Sequence, residues 1–598
     1  MTDRASSTSS PTAADTARTA ADAPIRVASH VELKRAGVIV VPGPRRRIAV
    51  FADGDAVYAV ENNCPHMGFP LDRGSVRDGM LTCHWHQARF DLRSGCTFDL
   101  WADDVPRHET WIEDGVVYVR GESQTAHDAE HHRARLQRGM EQNIGLVQAK
   151  SILALLSDDA SVARLVKSAV AFASVNLPQF SEGLTRLACV ARLYPLLTRE
   201  TAYQGLYYAI RAIADEASTS PPRRARMPLL EPHDLATLKG WLKQWVQTRH
   251  RDGAERTALT GLRELSPAQN AELIFAAATE RLYANGGHEL ESCNKVFELI
   301  ELLGAAEAPQ LVPLLIRGLT EARGREESTN WHHPVELVAP LRALEQRLPT
   351  VLDRPDNSAW APSPALTDLI LGDDPLATIA GLEQALRNGA PALLIARHVA
   401  YAAALRLARF ATSNEVTDWF NPQHTFIYCN GTYQAVRRAP VPDVVRGIFH
   451  GAMAVYMDRY LNVPPAQLPG ERRTRDDLPG TGAAVLRALL NELDQRTNIE
   501  RAADLVSGYL ASGLPFAELI DTLTFATVRE DLDFHSLQVL EAGVNQCGAW
   551  GEDGHTQREH ILVGVTRNLA AHCPTRRAGQ QTALIAARLH RGEKMFEG

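Results

Sequence analysis

The fold of the N-terminal part of the chain is decided by residues 64–92, CPHMGFPLDRGSVRDGMLTCHWHQARFDL. This stretch contains a C-x-H pair, Cys64 and His66, and a C-x2-H pair, Cys83 and His86, separated by sixteen residues. Two thiolates and two imidazoles suit a [2Fe–2S] cluster in which one iron takes the cysteines and the other takes the histidines. The same four donors also suit a structural zinc ion, so the donor set alone leaves two kinds of metal centre open.

Turn signals flank this stretch on both sides. Asp53-Gly54 separates two short apolar segments, and Asp114-Gly115 separates two more. Asp-Gly supplies the positive φ angles that tight hairpin turns need, so both pairs predict β-hairpins. We therefore predict a small all-β domain over residues 25–121.

The motif and its flanking hairpins resemble the Rieske family. The resemblance rests on the C-P-H-x-G context of the first pair and the C-x-W-H-x-x-R-F-D-L context of the second. It implies a small β-sandwich that holds one [2Fe–2S] cluster and transfers single electrons. It also implies that the cluster ligands are Cys64, His66, Cys83 and His86, and it argues against zinc.

Departures from the family pattern indicate which branch the domain resembles. Cytochrome bc-type members carry an extra cysteine in each loop, joined as a disulfide, and the matching positions here are Phe69 and Trp85. Those members also carry hydroxyl residues that donate hydrogen bonds to the cluster, where this chain has Ala88 and Phe90. Fewer such bonds lower the reduction potential, so we expect the low end of the Rieske range of about −150 to +300 mV. The domain therefore resembles the ferredoxin and oxygenase branch.

Two residues near the motif carry separate expectations. Gln87 stands where the family usually has glycine, which puts the backbone geometry of the second loop in question. Cys96 has no matching ligand role, and we predict that it is a buried, small hydrophobic residue.

The bulk properties of the chain exclude several classes of protein. At 598 residues it is too long for one hydrophobic core, since single cores stop growing near about 250–300 residues. A net charge of −8 argues against nucleic-acid binding. No segment reaches about 18 uncharged apolar residues, which argues against a membrane span. Residues 1–24, rich in Ser, Thr, Ala and Asp, predict a disordered tail rather than a signal peptide. We therefore expect a cytoplasmic protein.

The larger part of the chain has helical periodicity. After a predicted linker at residues 122–134, apolar residues recur at i, i+3, i+4 and i+7 as far as the end of the chain. This pattern predicts an all-α domain of stacked antiparallel helices over residues 135–598. A break near residues 353–365 could divide it into two subdomains.

One motif occurs twice within the helical part. H-x4-C-N is present at residues 288–294 and again at 424–430, and a Pro-led apolar helix follows each copy. A duplicated helical unit and a chance agreement both explain the repeat.

Motifs of familiar metal enzymes fit the helical part poorly. Glu552-x2-His555-x4-His560 approaches the D-x2-H-x4-H signature of ring-hydroxylating oxygenases, but it has Glu for Asp and lies in a predicted loop of a helical region. Paired E-x-x-H motifs, as in di-iron bundles, do not occur, and neither do H-E-x-x-H or a Walker A loop. We therefore do not assign the helical part to any of these classes.

Histidines at helix starts or within apolar helices are the remaining signal. The candidate catalytic residues are His288, His333, Glu336, His424 and His535. Any one of them fits a capping or core role, but several buried polar groups in one domain favour a polar cavity, because unpartnered burial costs free energy. The His-initiated helices also resemble the questin-oxidase-like family, which implies oxygenation of an aromatic small molecule.

Two functions from different classes follow. The preferred one is an oxidoreductase, with an oxygenase as one form of it, in which an external reductase or ferredoxin loads the Rieske cluster. The electron then passes to a substrate or oxygen site in the helical domain. The sequence does not decide whether that site holds a second metal or an organic cofactor. The alternative is a non-enzymatic Rieske ferredoxin or redox sensor fused to a helical scaffold that binds a partner. An enzyme should show a deep cavity lined by candidate histidines and acids, whereas a scaffold should bury the histidines singly.

Overall fold

The computed structural model describes residues 24–593 and 595, except 125–127, 157–158, 354–356, 358–359, 364, 472–479 and 496–497. Of the predicted tail, residues 1–24, only Pro24 lies within the described residues, and it begins the first strand. The chain forms two compact units. One comprises the residues up to Leu155 together with those from Thr582 onward, and the other is Leu156–Gln581.

The first unit contains two antiparallel sheets. Its strands in the described residues are β1 (Pro24–Ser29), β2 (Val38–Val41), β3 (Ile48–Asp53), β4 (Ala56–Glu61), β5 (Ser75–Arg77), β6 (Met80–Thr82), β7 (Arg89–Asp91), β8 (Arg107–Glu113) and β9 (Val116–Ser123). The larger sheet has the strand order β1-β9-β8-β4-β3-β2, and the smaller sheet has the order β5-β6-β7. A short helix, α1 (His30–Ala36), follows β1 and starts at a capping box between Ser29 and Glu32.

Both predicted hairpins are confirmed. Gly54 has φ 62° in the turn between β3 and β4, while Asp114 and Gly115 have φ 49° and 74° between β8 and β9. Apolar side chains of both sheets, such as Phe51 and Phe90, form one buried core. The all-β prediction for the N-terminal domain is therefore confirmed, with the short helix α1 as an addition.

Helices make up the rest of the described chain, which confirms the all-α prediction. Their bounds are α2 (Ala129–Glu141), α3 (Gly145–Leu155), α4 (Asp159–Asn176), α5 (Glu182–Leu193), α6 (Arg199–Ser218), α7 (Leu235–Thr248), α8 (Arg251–Glu264), α9 (Pro267–Ala278), α10 (His288–Leu303), α11 (Ala308–Glu321), α12 (Val338–Leu352), α13 (Ala365–Leu371), α14 (Pro375–Arg387), α15 (Ala392–Ala408), α16 (Phe420–Arg438), α17 (Pro442–Met457), α18 (Gly482–Leu493), α19 (Ile499–Ala511), α20 (Phe516–Val528), α21 (Phe534–Trp550), α22 (His555–His572) and α23 (Ala578–His590). Helices α2 and α3 belong to the first unit, which therefore extends beyond the β-sheets. Among the described helices, none is long and apolar enough to cross a membrane.

A buried ionic network holds α10 against α21 in the second unit. The Lys295 ammonium donates a 2.7 Å hydrogen bond to Glu298 on its own helix, and it also donates to Glu541 of α21. These side chains are only 1%, 2% and 1% exposed. The two carboxylates raise the pKa of Lys295, so the ammonium stays charged. Because desolvated charges are costly when unpaired, this network fixes the relative position of the two helices.

Candidate metal centres

The two Cys/His loops of the first unit have the same backbone conformation. The N–H of Gly68 donates to the carbonyl of Cys64 at 2.8 Å, and the N–H of Gln87 donates to the carbonyl of Cys83 at 3.0 Å. Gly68 has φ 83° and Gln87 has φ 65°, so both lie in the left-handed region at the fourth position after the cysteine. The second loop therefore has the left-handed conformation of the first loop although Gln87 replaces glycine. A residue with a side chain is strained in this conformation, whereas glycine is not.

The four predicted ligands lie together where the loops meet. Cys64 and Cys83 are 2% and 1% exposed, and their thiols are close enough to bond to each other, which raises the pKa of Cys64 and lowers that of Cys83. The rings of His66 and His86 are 4.8 Å apart. Among the described residues, the buried Nδ1 of His66 has no hydrogen-bond partner. Two adjacent thiols and an orphaned imidazole nitrogen fit a [2Fe–2S] cluster of mixed thiolate and imidazole ligation.

Backbone amides point at both thiols. The N–H groups of His66 and Met67 lower the pKa of Cys64, and those of Trp85 and His86 lower the pKa of Cys83. Amides in these positions stabilise thiolate charge, which a metal-bound cysteine requires. Ala88 and Phe90, the positions where the high-potential branch has hydroxyl donors, are fully buried apolar residues.

Lys150 supports the first loop from α3 of the same unit. Its ammonium donates to the carbonyl oxygens of Pro65, at 2.6 Å, and of His66. Burial lowers the pKa of Lys150 to about 8. The helix after the β-sheets therefore places a cation directly behind a predicted ligand loop.

The prediction for Cys96 is wrong. Its side chain is exposed rather than buried, because residues 93–96 form a turn at the surface between β7 and the following loop. Asp91 organises this turn by accepting hydrogen bonds from the backbone of Arg93 and Ser94.

A two-sheet β domain with one Cys/His pair on each of two matching loops defines an iron–sulfur electron-transfer module. The chain contains a Rieske [2Fe-2S] domain, since the model of that domain matches residues 24–106. This domain binds a [2Fe–2S] cluster and transfers single electrons. The ligand assignment to Cys64, His66, Cys83 and His86 stays a prediction, supported by the geometry above.

Three curated relatives are similar to short stretches of this chain, of 51 to 95 residues. Ferredoxin CarAc of Metapseudomonas resinovorans is 30% identical over 95 residues, 14% of this chain and 84% of the ferredoxin. The anthranilate 1,2-dioxygenase ferredoxin subunit of Burkholderia cepacia is 39% identical over 51 residues, 8% of this chain and 47% of the subunit. Apoptosis-inducing factor 3 of Homo sapiens is 32% identical over 79 residues. The match spans only 13% of the length of apoptosis-inducing factor 3 and 13% of this chain.

The second unit brings three of the predicted histidines together. His288 is the first residue of α10, His424 lies in the first turns of α16, and His535 lies in the first turn of α21. The ring of His424 is 4.4 Å from each of the other two rings. One ligand atom from each residue lies within 4.8 Å of the others. We call His288, His424 and His535 the histidine triad.

Outer contacts orient two of the triad rings. The Nδ1 of His288 lies 2.7 Å from the carbonyl oxygen of Asn285, so Nδ1 carries the proton and Nε2 keeps its lone pair. The Nδ1 of His535 lies 3.2 Å from Oδ1 of Asp533, without hydrogen-bond alignment. Ligand histidines in metalloproteins characteristically have such a carbonyl or carboxylate behind the ring. Asp533 also caps α21 by accepting from the backbone of His535 at 3.0 Å.

The triad suits a metal ion. The Nε2 atoms of His288 and His535 are 3.2 Å apart, and two imidazoles bound at about 2.0–2.1 Å to one ion have their nitrogens about 2.9–3.4 Å apart. Burial lowers the pKa of both His288 and His424, which favours the neutral imidazole that a metal requires. The buried Nδ1 of His424 has no partner among the described residues.

The other candidates lie elsewhere. Glu336 is exposed, accepts from the backbone of Val338 and Ala339 at the start of α12, and bonds to His332 at 2.7 Å. His333 is exposed. These contacts fit a capping role for Glu336 rather than a shared site with the triad.

A cavity of about 570 Å³ borders the triad in the second unit. His288 and Phe534 line it, and the Phe534 ring lies 3.8 Å from the ring of His535. Five glutamates also line it, namely Glu182, Glu216, Glu289, Glu291 and Glu321. A cavity of this size accommodates a small organic molecule. Sequence analysis missed these carboxyls, although the i, i+3 spacing of His288 and Glu291 on one helix was an available signal.

Proposed function

We propose that this protein is an oxidoreductase in which the Rieske domain supplies single electrons to an iron held by His288, His424 and His535. The 3.2 Å approach of the His288 and His535 Nε2 atoms, with His424 against both rings, carries the proposal. Oxygen activation with insertion of oxygen into a small molecule is the reaction class it supports best.

The presence of a Rieske domain in the same chain supports iron as the metal. Three neutral imidazoles suit zinc, copper, nickel or iron. Zinc has no redox chemistry, so a zinc site could not use the electrons that a Rieske domain delivers. Iron serves oxygen chemistry in sites of two histidines and one carboxylate with open positions, and a third histidine takes the place of the carboxylate in the triad.

The electron balance requires an external donor. Insertion of one oxygen atom consumes one O2, two electrons and two protons, and it releases one water. A Rieske domain carries one electron at a time, so a reductase or ferredoxin must reload it between the two transfers. The relative that serves as the ferredoxin subunit of anthranilate 1,2-dioxygenase supports an oxygenase context for the domain.

The cavity beside the triad supports an enzyme over a partner-binding scaffold. A scaffold would bury its histidines singly, as the structure does for His560, whose Nδ1 bonds to Tyr401 at 2.8 Å. The triad instead places three imidazoles at the edge of a cavity large enough for a substrate.

Metal and sulfide analysis tests the proposal. Protein purified anaerobically from iron-supplemented medium should contain three irons and two acid-labile sulfides per chain. His424→Ala should contain two irons, and its Rieske electron paramagnetic resonance signal after dithionite reduction should be unchanged. Adding nitric oxide to the reduced wild-type protein should give a second signal from a mononuclear ferrous site, and His424→Ala should lack it.

His398→Ala is the matched control. His398 is also a buried histidine of the second unit, and neither ring nitrogen has a partner among the described residues. It lies against Trp550, with ring centroids 5.0 Å apart. This variant should keep all three irons. A wild-type protein with only two irons, or equal iron loss in both variants, would contradict the iron triad.

A further inference from the structure

The ionisable side chains that line the cavity beside the triad are almost all carboxyl groups. Five of its lining residues are glutamates, and among the described residues that line it there is no lysine or arginine. Four apolar side chains, Phe180, Leu314, Leu315 and Phe534, form part of the wall. The cavity therefore combines an apolar surface with a high density of carboxyl groups.

Glu291 is the lining carboxyl that the described part of the protein leaves least satisfied. Its side chain is 2% exposed, and neither carboxyl oxygen has a hydrogen-bond partner among the described residues. Burial raises the pKa of Glu291 well above its usual range. The nearby Lys295 does not neutralise it, because that ammonium bonds to Glu298 and Glu541. An unpaired buried carboxyl costs free energy unless a ligand bonds to it.

A second carboxyl repeats this arrangement on another helix. Glu216 of α6 uses one oxygen to accept from the backbone N–H of Gly183 at 3.1 Å. Its other oxygen is buried without a partner among the described residues. Burial raises the pKa of Glu216 as well. Glu216 and Glu291 thus come from different helices, both line the cavity, and each has at least one buried carboxyl oxygen without a partner among the described residues.

We infer that the cavity binds an organic cation, an aromatic or alkyl amine whose ammonium group bonds to Glu291 and whose apolar body lies against Phe180 and Phe534. A protonated amine offers up to three N–H donors and a positive charge, which satisfies unpartnered carboxyl oxygens better than a neutral group does. Since His288 belongs to both the cavity wall and the triad, a bound amine lies next to the triad. This inference rests on the proposed function, because it names the substrate class of that site.

Three indole derivatives of nearly equal size and different charge test the inference. Tryptamine is a cation at neutral pH, tryptophol is its neutral alcohol analogue, and indole-3-acetate is an anion. Isothermal titration calorimetry with the full iron-loaded chain should give a dissociation constant for tryptamine at least roughly tenfold lower than for tryptophol, with indole-3-acetate binding weakest. Glu291→Gln should weaken tryptamine binding by roughly tenfold or more and leave tryptophol binding within about twofold. Unchanged tryptophol binding also shows that the cavity is still folded.

Glu200→Gln is the matched control, since Glu200 is an exposed glutamate in the first turn of α6 and does not line the cavity. This variant should bind tryptamine like the wild type. Equal affinity for tryptamine and tryptophol, no heat for tryptamine at about 1 mM, or displacement of tryptamine by an equimolar amount of Mg²⁺ would overturn the inference.

The same titration on His424→Ala separates this inference from the proposed function. If this variant still binds tryptamine selectively and the wild-type protein contains no third iron, the amine site is retained and the iron triad is rejected. A third iron without charge selectivity would retain the proposed function and reject the amine site.

Discussion

The Nε2 atoms of His288 and His535 face each other at 3.2 Å, although 247 positions separate the two residues in the chain. The carboxylate of Asp533 lies 3.2 Å from the opposite nitrogen of the His535 ring. The carboxylate lies behind the ring, on the side away from Nε2, where a second contact behind a metal ligand is usually found. A residue that is not itself a ligand is therefore in position to orient the His535 ring.

Asp533→Asn should lower the affinity of the triad for iron by about 10–100-fold. Asparagine caps helices as well as aspartate does, so the bond to the backbone of His535 and the stability of α21 should be retained. The measurement is iron retention against a graded series of a ferrous chelator, with thermal unfolding as a check on the fold. Asp234→Asn changes another N-cap aspartate, at the start of α7, and should retain iron like the wild type. Equal retention in both variants would show that Asp533 acts only as a cap.

Lys150→Met should lower the reduction potential of the Rieske cluster by several tens of millivolts, because a positive charge behind the first loop favours the reduced, more negative state. A redox titration followed by electron paramagnetic resonance measures the shift. Lys150→Arg keeps the charge and should stay close to the wild-type potential. If Lys150→Met and Lys150→Arg shift it equally, packing rather than charge is responsible.

Gln87→Gly should stabilise the Rieske domain by about 0.5–1 kcal/mol. Gln87 has φ 65°, and a left-handed conformation costs about 1–2 kcal/mol for a residue with a Cβ. Part of this gain is offset by the greater flexibility of glycine in the unfolded chain. Thermal loss of the cluster absorbance measures the change. Gly68→Ala, the reverse change at the matching position with φ 83°, should lower the unfolding temperature. An unchanged or lower temperature for Gln87→Gly would contradict the assignment of strain to Gln87.

Lys295→Met should destabilise the second unit by about 3–5 kcal/mol, because Glu298 and Glu541 would be left charged and buried without a cation. Urea unfolding followed by circular dichroism at 222 nm provides the measurement. Lys34→Met removes a lysine whose partner, Asp55, is 93% exposed, and should leave the free energy of unfolding close to the wild-type value. Replacing Glu298 and Glu541 by glutamine in the Lys295→Met background should recover much of the loss. Without recovery, the side-chain volume of Lys295 would explain the effect instead.

Local features of the chain were predictable from sequence. The Asp-Gly turns and the Cys/His loops depend on residues within a few positions of one another, and both hairpins formed where the turn residues predicted them. The repeated H-x4-C-N motif also pointed to His288 and His424, which lie against each other on α10 and α16. The triad as a site was not predictable, because its members come from three helices whose packing no local pattern specifies.

Burial explains where the sequence interpretation failed. Cys96 has the hydrophobicity of a core residue, but a polar turn carries it into solvent. Glutamate is usually a surface residue, but Glu291 lies on a helix face that the rest of the second unit encloses. Whether a side chain is enclosed depends on its tertiary neighbours, so neither residue type nor spacing could decide these two positions.

Asp458 gives a pH dependence with a defined sign. It is 6% exposed, and burial raises its pKa from an ordinary 3.8 to about 7. The folded protein therefore holds a proton on Asp458 that the unfolded chain releases near pH 4. The stability that this proton contributes is fully present below about pH 4, and it is lost as the pH rises through about 7. Asparagine resembles the protonated acid in shape and cannot ionise.

The difference in free energy of unfolding between Asp458→Asn and the wild type should therefore be smaller at pH 5 than at higher pH. At pH 8.5 the variant should exceed the wild type by an additional amount on the order of 3 kcal/mol. Urea unfolding of both proteins at the two pH values measures the difference, and taking the difference cancels the contributions of the other carboxyl groups. Asp373→Asn, at an aspartate whose side chain is 91% exposed, should show no such growth with pH. If the advantage of Asp458→Asn is the same at both pH values, Asp458 is already ionised in the folded protein, and the nearby Arg406 and Arg325 outweigh its burial.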